Sequence, residues 1–446
     1  MKKIILSVAA LAGTVALTAA EVPKVEDKAL FSGGKVTGQV KAMHILADKT
    51  NGFAPEDGSG YLVWLKYVTP DLGLKGLKVG AAFYVNGDTG LTDWEDNTKN
   101  AQGMFTDVEG KTNTLLGQAY IEYKSSMLDA KVGRQILNTP LTKIKWSLMP
   151  NFYQAAVAAV KPMKGLSFTA LHIDKMAYGS RSATDFSLIG EKTGTAGVTT
   201  PAVGQGTGTR EQARFLNLGS AAGVAETSGM TALNATYKIG KNLKISVWDY
   251  IAHDISNTIY ADVNYKIPVM KGTKLALSAQ YLNQSEEGDK LAGTMDFSMY
   301  GVKAKVGNKK WSAYLAYNSS DDSNANRSGF HNAFGADPAY TSSIFSRNAY
   351  REDVSAYKIG GHYAIMKGLK IVVSHADYGK SKTLGWGPSK LVAANDATET
   401  DIVLVYKPTK AMMLKLFNAR RTSEYNESSA AEKEQNHIRA VVSYNF

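Results

Sequence analysis

Apolar and polar residues alternate over about ten positions again and again along this chain, and that pattern limits its possible folds more than any other feature. The last segment is the clearest example. One of its faces carries Ile438, Ala440, Val442, Tyr444 and Phe446, and the other carries His437, Arg439, Ser443 and Asn445. Val441 alone breaks the alternation. Such a segment is typical of a strand with one apolar and one wet face.

Eighteen such segments can be marked between residue 33 and the end of the chain, among them 230–239, 399–407 and 411–421, and 16 to 20 strands is the range that this reading supports. The connections between them alternate in length. Every second one is a short turn, whereas the others include long polar stretches at residues 87–113, 176–229, 319–352, 379–398 and 422–435. The pattern predicts an all-β fold, a transmembrane antiparallel β-barrel with short periplasmic turns and long extracellular loops. Stretches 176–229 and 319–352, rich in Gly, Ser, Thr, Ala and Asn, are interpreted as surface loops.

The first 20 residues have the features of a secretory signal peptide. Lys2 and Lys3 precede an uncharged run from residue 4 to residue 17, and small residues follow. A membrane helix that stays is the alternative, but this run is shorter than the roughly 20 residues that span a bilayer. We expect cleavage between Ala20 and Glu21, so that residues 21–446 form a single barrel in the bacterial outer membrane.

Composition agrees with a barrel and removes several other classes. The chain has no cysteine, which excludes disulfides and thiolate metal sites, and it is rich in glycine (41) and tyrosine (23). Aromatic girdles and a polar lumen account for that mixture. The net charge of +11 comes from dispersed lysines rather than a basic block, so nucleic acid is not an expected partner.

Two neighbouring stretches carry a resemblance to a known family. Residues 129–141 read Asp-Ala-Lys-Val-Gly-Arg-Gln-Ile-Leu-Asn-Thr-Pro-Leu, and residues 148–154 read Leu-Met-Pro-Asn-Phe-Tyr-Gln. This resembles the strand, inward-folded third loop and return strand of the OprD-like outer-membrane porins. It departs from the family pattern at Tyr153, where a small acidic or polar residue is expected. The resemblance implies an 18-stranded porin for small hydrophilic solutes, often a homotrimer, with a pore-constricting loop near residues 138–151.

Within that loop, Lys143 and Lys145 are the candidate constriction residues. They occupy alternate positions between two turn-forming pairs, so both ammonium groups can point into the lumen together. The alternative is that they face solvent at the mouth.

Strand parity provides further candidates for the lumen wall, because these residues alternate with apolar neighbours. They are Lys41, Lys66, Glu122, Lys131, Lys244, Asp262, Lys303, Lys358, Lys370 and Lys415. Lysines predominate, and a lysine-lined pore favours anions. The alternative is that several lie at the rims, neutralised by lipid phosphates or loop carboxylates, so ion preference stays open here.

The chain ends on an aromatic strand, and Tyr444 and Phe446 are predicted to form the signal that the barrel-assembly machinery reads. Outer-membrane lipid and lipopolysaccharide are the expected surroundings of the apolar face.

Catalytic and metal motifs are absent from the sequence: it has no His-Glu-x-x-His and no Gly-x-Ser-x-Gly. No cofactor or metal is expected. Asp322, Asn324 and Asn326 have the spacing that begins a calcium loop, but Arg327 and Ala333 replace its glycine and glutamate. A lipase-like barrel enzyme with Ser and His on different strands, or an adhesin or surface antigen that uses the long loops, stays as an alternative to the channel.

Overall fold

A computed structural model describes much of the chain, and the statements below refer to that part. The described residues are 32–50, 56–91, 105–106, 111–142, 148–179, 214–322, 325, 329–330, 334, 338–346, 348–381, 394–425 and 433–446. No helix among them is long and apolar enough to span a membrane.

The described part is built almost entirely of strands. We number the long ones β1 Lys35–Thr50, β2 Glu56–Val68, β3 Leu77–Asp88, β4 Asn113–Lys124, β5 Leu128–Gln135, β6 Phe152–Met163, β7 Leu166–Ala177, β8 Met230–Ile239, β9 Leu243–Ala252, β10 Ser256–Met270, β11 Thr273–Glu286, β12 Asp296–Gly307, β13 Trp311–Ser320, β14 Ser355–Met366, β15 Leu369–Tyr378, β16 Ala394–Tyr406, β17 Met412–Tyr425 and β18 Lys433–Asn445. A two-residue strand, Leu216–Asn217, pairs with β7 only and precedes a helical turn, Leu218–Ala221. A 3-10 turn spans Asn348–Tyr350.

The strands close into a barrel. Each long strand pairs antiparallel with its neighbours in the chain, and β1 pairs with β18 in a register that sets Gln39 opposite Asn445 and Thr50 opposite Glu434. Closure satisfies the backbone donors and acceptors of the wall without leaving an edge, which is what a strand structure in lipid requires. The predicted barrel of about 18 strands is confirmed.

Side-chain exposure alternates along the wall in the predicted way. Val442, Tyr444 and Phe446 of the last strand are 44%, 53% and 56% exposed, whereas His437 and Arg439 are fully buried on the inner face. Every one of the 18 strands contributes at least one exposed large apolar residue. The outer face is therefore a continuous apolar band for the lipid.

Val441, which breaks the alternation, has a structural reason for doing so. It faces inward, is 1% exposed, and packs in one apolar cluster with Leu148 and Met149 of the connection between β5 and β6. An apolar residue is suited to this inner position because a loop covers it.

The prediction that two long connections are surface loops is wrong for parts of both. Parts of 176–229 and 319–352 lie inside the barrel instead of on its surface: Leu218 and Ala222 from the first, and Phe330, Phe345 and Tyr350 from the second, are buried. The lumen of so wide a barrel is not filled by side chains of the wall alone. Loop residues supply the remaining packing and the hydrogen-bond partners of buried polar wall groups.

The assignment of faces predicts different outcomes for two lysine substitutions on β14. Ile359 is 60% exposed on the outer face, in the middle of an apolar series, and Ile359→Lys should cost roughly 2 to 4 kcal/mol near the bilayer midplane. His362, half-buried on the inner face beside Ser312, should tolerate lysine. Folding yield, followed by heat-modifiable mobility on gels, measures both. Equal losses would show that the faces are wrongly assigned.

Candidate functional site

The ten charged residues that parity predicts for the lumen lie on the inner series of their strands. Those at the middle of the wall are half-buried or buried, and Lys370 is exposed near the periplasmic end of β15. Several of them are paired with opposite charge. Lys244 lies 3.6 Å from Asp262, and Lys131 lies 3.9 Å from Glu122. These pairs reduce the positive charge that the lysines present to a solute.

Other lumen lysines lie against neutral partners. The Lys303 ammonium lies 4.0 Å from the centroid of the Tyr314 ring, and the Lys66 ammonium donates a hydrogen bond to the Gln118 side chain over 3.4 Å. An aromatic face or an amide oxygen attracts a cation without adding a negative charge to the lumen.

The described residues of the connection between β5 and β6, 136–142 and 148–151, fold into the barrel. Leu148 and Met149 are buried against Met43 of β1 and Leu62 of β2, and the ammonium of Lys41 donates to the Leu148 carbonyl over 3.3 Å. Two turn residues that precede the undescribed stretch are fixed as well, because the Thr139 backbone N–H donates to the Thr142 hydroxyl over 3.0 Å.

Several predicted positions lie outside the described residues. They are Lys143 and Lys145 of the candidate constriction, Ala20 and Glu21 of the cleavage site, and Asn324 and Asn326 of the calcium-like spacing. Their roles stay predictions.

Described residues of a second connection, between β13 and β14, also lie in the lumen, where buried hydrogen bonds hold residues 341–346. The Tyr378 hydroxyl donates to the Thr341 carbonyl over 2.7 Å, and the Lys358 ammonium donates to the Ser342 carbonyl over 2.8 Å. The Glu399 carboxylate, fully buried, accepts from the backbone N–H groups of Phe345 and Ser346. Residues 341–346 are therefore held against β14, β15 and β16 from inside.

The aromatic ring of Phe345 extends this contact to the last two strands. Its centroid lies 4.3 Å from that of His437, and the guanidinium groups of Arg439 and Arg421 lie 5.0 and 5.7 Å from it. An aromatic face among cations orients them without neutralising them.

Four cations follow the inner wall across three neighbouring strands. The strand register places Arg421 opposite Gln435 near the extracellular end of β17, then Arg439 opposite Phe417, then Lys415 opposite Val441. Lys41 of β1 lies opposite Ser443, one step nearer the periplasm. We call Arg421, Arg439, Lys415 and Lys41 the basic line. The described inner series of β17, β18 and β1 contains no carboxylate.

The sequence analysis predicted Lys41 and Lys415 on the lumen wall and Arg439 on the polar face of its strand. It did not predict that the three residues lie along one line. It did not select Arg421 or Glu399, which stood at the ends of their marked segments. The same parity would have found both, since Arg421 continues the series of Phe417 and Ala419, and Glu399 that of Asp401 and Val403.

Tyr153, the residue at which the chain departs from the family pattern, contacts both the β5–β6 connection and the β13–β14 connection. Its ring is fully buried, and its hydroxyl donates to the Thr142 carbonyl over 3.2 Å and to the Phe334 carbonyl. Thr142 belongs to the connection between β5 and β6, and Phe334 to that between β13 and β14. One phenol proton thus couples two segments that meet inside the barrel.

Removing that hydroxyl should loosen both loops. A hydrogen bond of this kind contributes about 0.5 to 1.5 kcal/mol, so Tyr153→Phe should increase the frequency of current fluctuations in single-channel recordings several-fold. Tyr178→Phe is the matched control, because the Tyr178 hydroxyl is also buried and donates to a loop carbonyl, that of Ala221, over 2.8 Å. If both variants fluctuate alike, Tyr153 does not couple the loops.

Comparison with known proteins gives one family and a set of solved folds. A family model described as outer membrane porin, OprD family, matches residues 79–446. No curated protein matches the chain. Three solved structures from Pseudomonas aeruginosa are similar. OpdK with vanillate has a TM-score of 0.70 and 15% identity, covering 94% of this chain and 99% of that one.

OccK9 (OpdG) has a TM-score of 0.72 and 14% identity, covering 94% of this chain and 100% of the other. OccK2 (OpdF) in complex with glucuronate has a TM-score of 0.69 and 12% identity, with 94% and 99% covered. At these identities the likeness is one of fold.

Proposed function

The chain belongs to the OprD family of outer membrane porins, and from that premise we propose that its water-filled channel passes small organic anions, carboxylates above all. As an outer-membrane porin, it allows small hydrophilic solutes to diffuse passively through the barrel. The proposal concerns which of them the lumen favours.

The basic line is the observation that carries this proposal. Its four cations descend the wall from the extracellular to the periplasmic half, and the inner faces of the same three strands hold no carboxylate among the described residues. On the adjoining strand β16, Glu399 and Asp401 are engaged with loop N–H groups and with Lys358 respectively. A carboxylate solute can therefore pass from one cation to the next, while a metal cation meets repulsion along the same path.

Two of the similar structures support the choice of solute. OpdK was solved with vanillate and OccK2 with glucuronate, and both molecules are small carboxylates. Lys41 and Lys415, half-buried on the inner wall, are the cations of the basic line that can contact a carboxylate. Arg421 and Arg439, in contrast, are buried and act on it through their positive charge.

The remaining parts of the proposal concern the mature protein and its surroundings. We propose a mature chain of residues 21–446 with a constriction in the loop near residues 138–151, and no catalytic activity. Polar outward pairs at the extracellular end, such as Arg420 with Glu434 at 2.6 Å, suit the headgroup region of lipopolysaccharide. The homotrimer stays a prediction, which analytical ultracentrifugation in detergent tests.

Liposome swelling tests the choice of solute directly. Glucose and glucuronate are close in size and differ in one carboxylate, so a pore that selects only by size admits both at similar rates. We expect glucuronate to enter several-fold faster at low salt, where the basic line is least screened. Faster entry of glucose would refute the preference for carboxylates and leave the porin assignment unchanged.

A further inference from the structure

The periplasmic end of the barrel is strongly basic. Each of the eight short turns, together with the strand ends next to it, carries at least one exposed lysine, as at Lys241, Lys271, Lys309, Lys367 and Lys410. The described carboxylates at this end are few, and each has a lysine partner: Asp71 with Lys78, Asp129 with Lys161, and Glu122 with Lys124 and Lys131. The turns from β8 to β17 and the strand ends beside them, all of them described, contain none.

Three of these lysines surround a small residue on the inner wall. Lys266 of β10 and Lys305 of β12 both lie opposite Ala276 of β11, one from each side. Lys274 is the next inward residue along β11 towards the periplasm, and all three side chains are exposed. Since neighbouring strands lie about 4.8 Å apart, Lys266 and Lys305 are about 10 Å apart across the alanine. We call Lys266, Lys274 and Lys305 the lysine triad.

The surroundings of the lysine triad leave its charge uncompensated. The nearest carboxylate on the inner series of β10, β11 and β12 is Asp262, two inward positions above Lys266, and it is occupied by Lys244 at 3.6 Å and Asn264 at 2.7 Å. Lys303, opposite Ser278, adds a further cation above the triad. No ion pair within the described residues involves a triad lysine.

We propose that the lysine triad is a binding site for polyvalent oxyanions in the periplasmic vestibule, the class to which di- and triphosphates belong. The triad spans about 10 Å, so a ligand held at its centre lies roughly 5 Å from each flanking lysine, within the Debye length of about 8 Å at physiological salt, and a ligand with several negative groups is attracted by all three charges. A monovalent anion meets one exposed, screened lysine at a time. The side chains belong to the inner series, so the ligand is a solute in the vestibule and not a lipid headgroup.

This site is separate from the basic line and does not depend on the proposed preference for carboxylates. The basic line lies on β17, β18 and β1, whereas the triad lies on β10, β11 and β12. Failure of one therefore does not imply failure of the other.

Isothermal titration calorimetry of the purified full-length protein in detergent, with inorganic triphosphate as the probe, tests the proposal. Removing one unit charge about 4 Å from the ligand weakens binding about fivefold in water, so the double variant K266A/K305A should bind triphosphate at least about tenfold more weakly. The matched control is K367A/K410A, which removes two exposed lysines from other turns. Stepwise conductance of each variant in a planar bilayer shows that it folds and opens.

We expect the wild type and the control to bind triphosphate at one strong site, and the triad variant to bind it more weakly. Titration with chloride at equal ionic strength should release little heat. Equal affinity in the triad variant and the wild type would overturn the proposal. So would equal weakening in the control, since it would mean that triphosphate responds only to the overall charge of the rim.

Discussion

Replacing Lys41 and Lys415 together with glutamate should move the channel from anion preference towards cation preference. The two side chains form the periplasmic half of the basic line and are half-buried on the inner wall. The change alters the local charge by four units. One unit at 4 Å is worth about 1 kcal/mol in water, and salt reduces the effect. We expect the anion-to-cation permeability ratio to fall by about tenfold at low salt and by less at 1 M.

A control of equal charge separates position from net charge. Lys407 and Lys410 are exposed in the periplasmic turn between β16 and β17, and their double change to glutamate also alters the charge by four units. The reversal potential in a salt gradient should shift less for this pair. Equal shifts from the two double variants would mean that the basic line does not set selectivity.

Deletion of Phe446 should abolish most assembly into the outer membrane. The backbone N–H and carbonyl of Phe446 form hydrogen bonds with Gly38 of β1, at 3.0 and 2.8 Å, and so complete the seam between the first and last strands. The phenyl ring covers Gly38, where even a Cβ atom would lie 2.3 Å from the ring. Removing the residue exposes the backbone of β1 and deletes an aromatic anchor at the periplasmic interface.

Two further measurements identify which role of Phe446 dominates. Phe446→Tyr keeps the ring and should assemble normally, as judged by heat-modifiable mobility of membrane fractions. The deletion variant is also refolded from urea into detergent, where no assembly machinery is present. Folding in detergent but not in cells would support a recognition signal, and failure in both would support seam stability alone. Normal yield of the deletion variant in cells would refute both.

The wall of the barrel could be predicted closely from the sequence. Successive side chains of a strand point to opposite faces. Lipid on one face and water on the other therefore impose alternating apolar and polar residues on every strand of the wall. Marked segments such as 230–239 coincide with the observed strand β8, and the largest differences arise at strand ends that extend beyond the lipid, as in β16, which begins at 394 instead of 399.

The interior of the pore could not be predicted in the same way. Glycine- and serine-rich connections indicate the absence of an independent core, but they do not indicate whether a loop lies outside or folds inward. In the structure, Glu399 and Asn318 hold a loop inside the barrel. Both are buried polar residues of the wall, and they accept hydrogen bonds from the backbone N–H groups of Phe345 and Thr341 respectively. Such partnerships join residues far apart in the chain, and strand periodicity carries no information about them. Tyr153 was visible only as a departure from the family pattern.

Planar-bilayer recording of the purified wild-type protein in a potassium chloride gradient is the most direct test of the account. The water-filled barrel predicts stepwise, ohmic openings. The basic line predicts a reversal potential of the sign that indicates chloride preference, and this preference should decrease as the salt concentration rises. Correctly folded protein that produces no openings, or openings with a reversal potential on the potassium side, would contradict it.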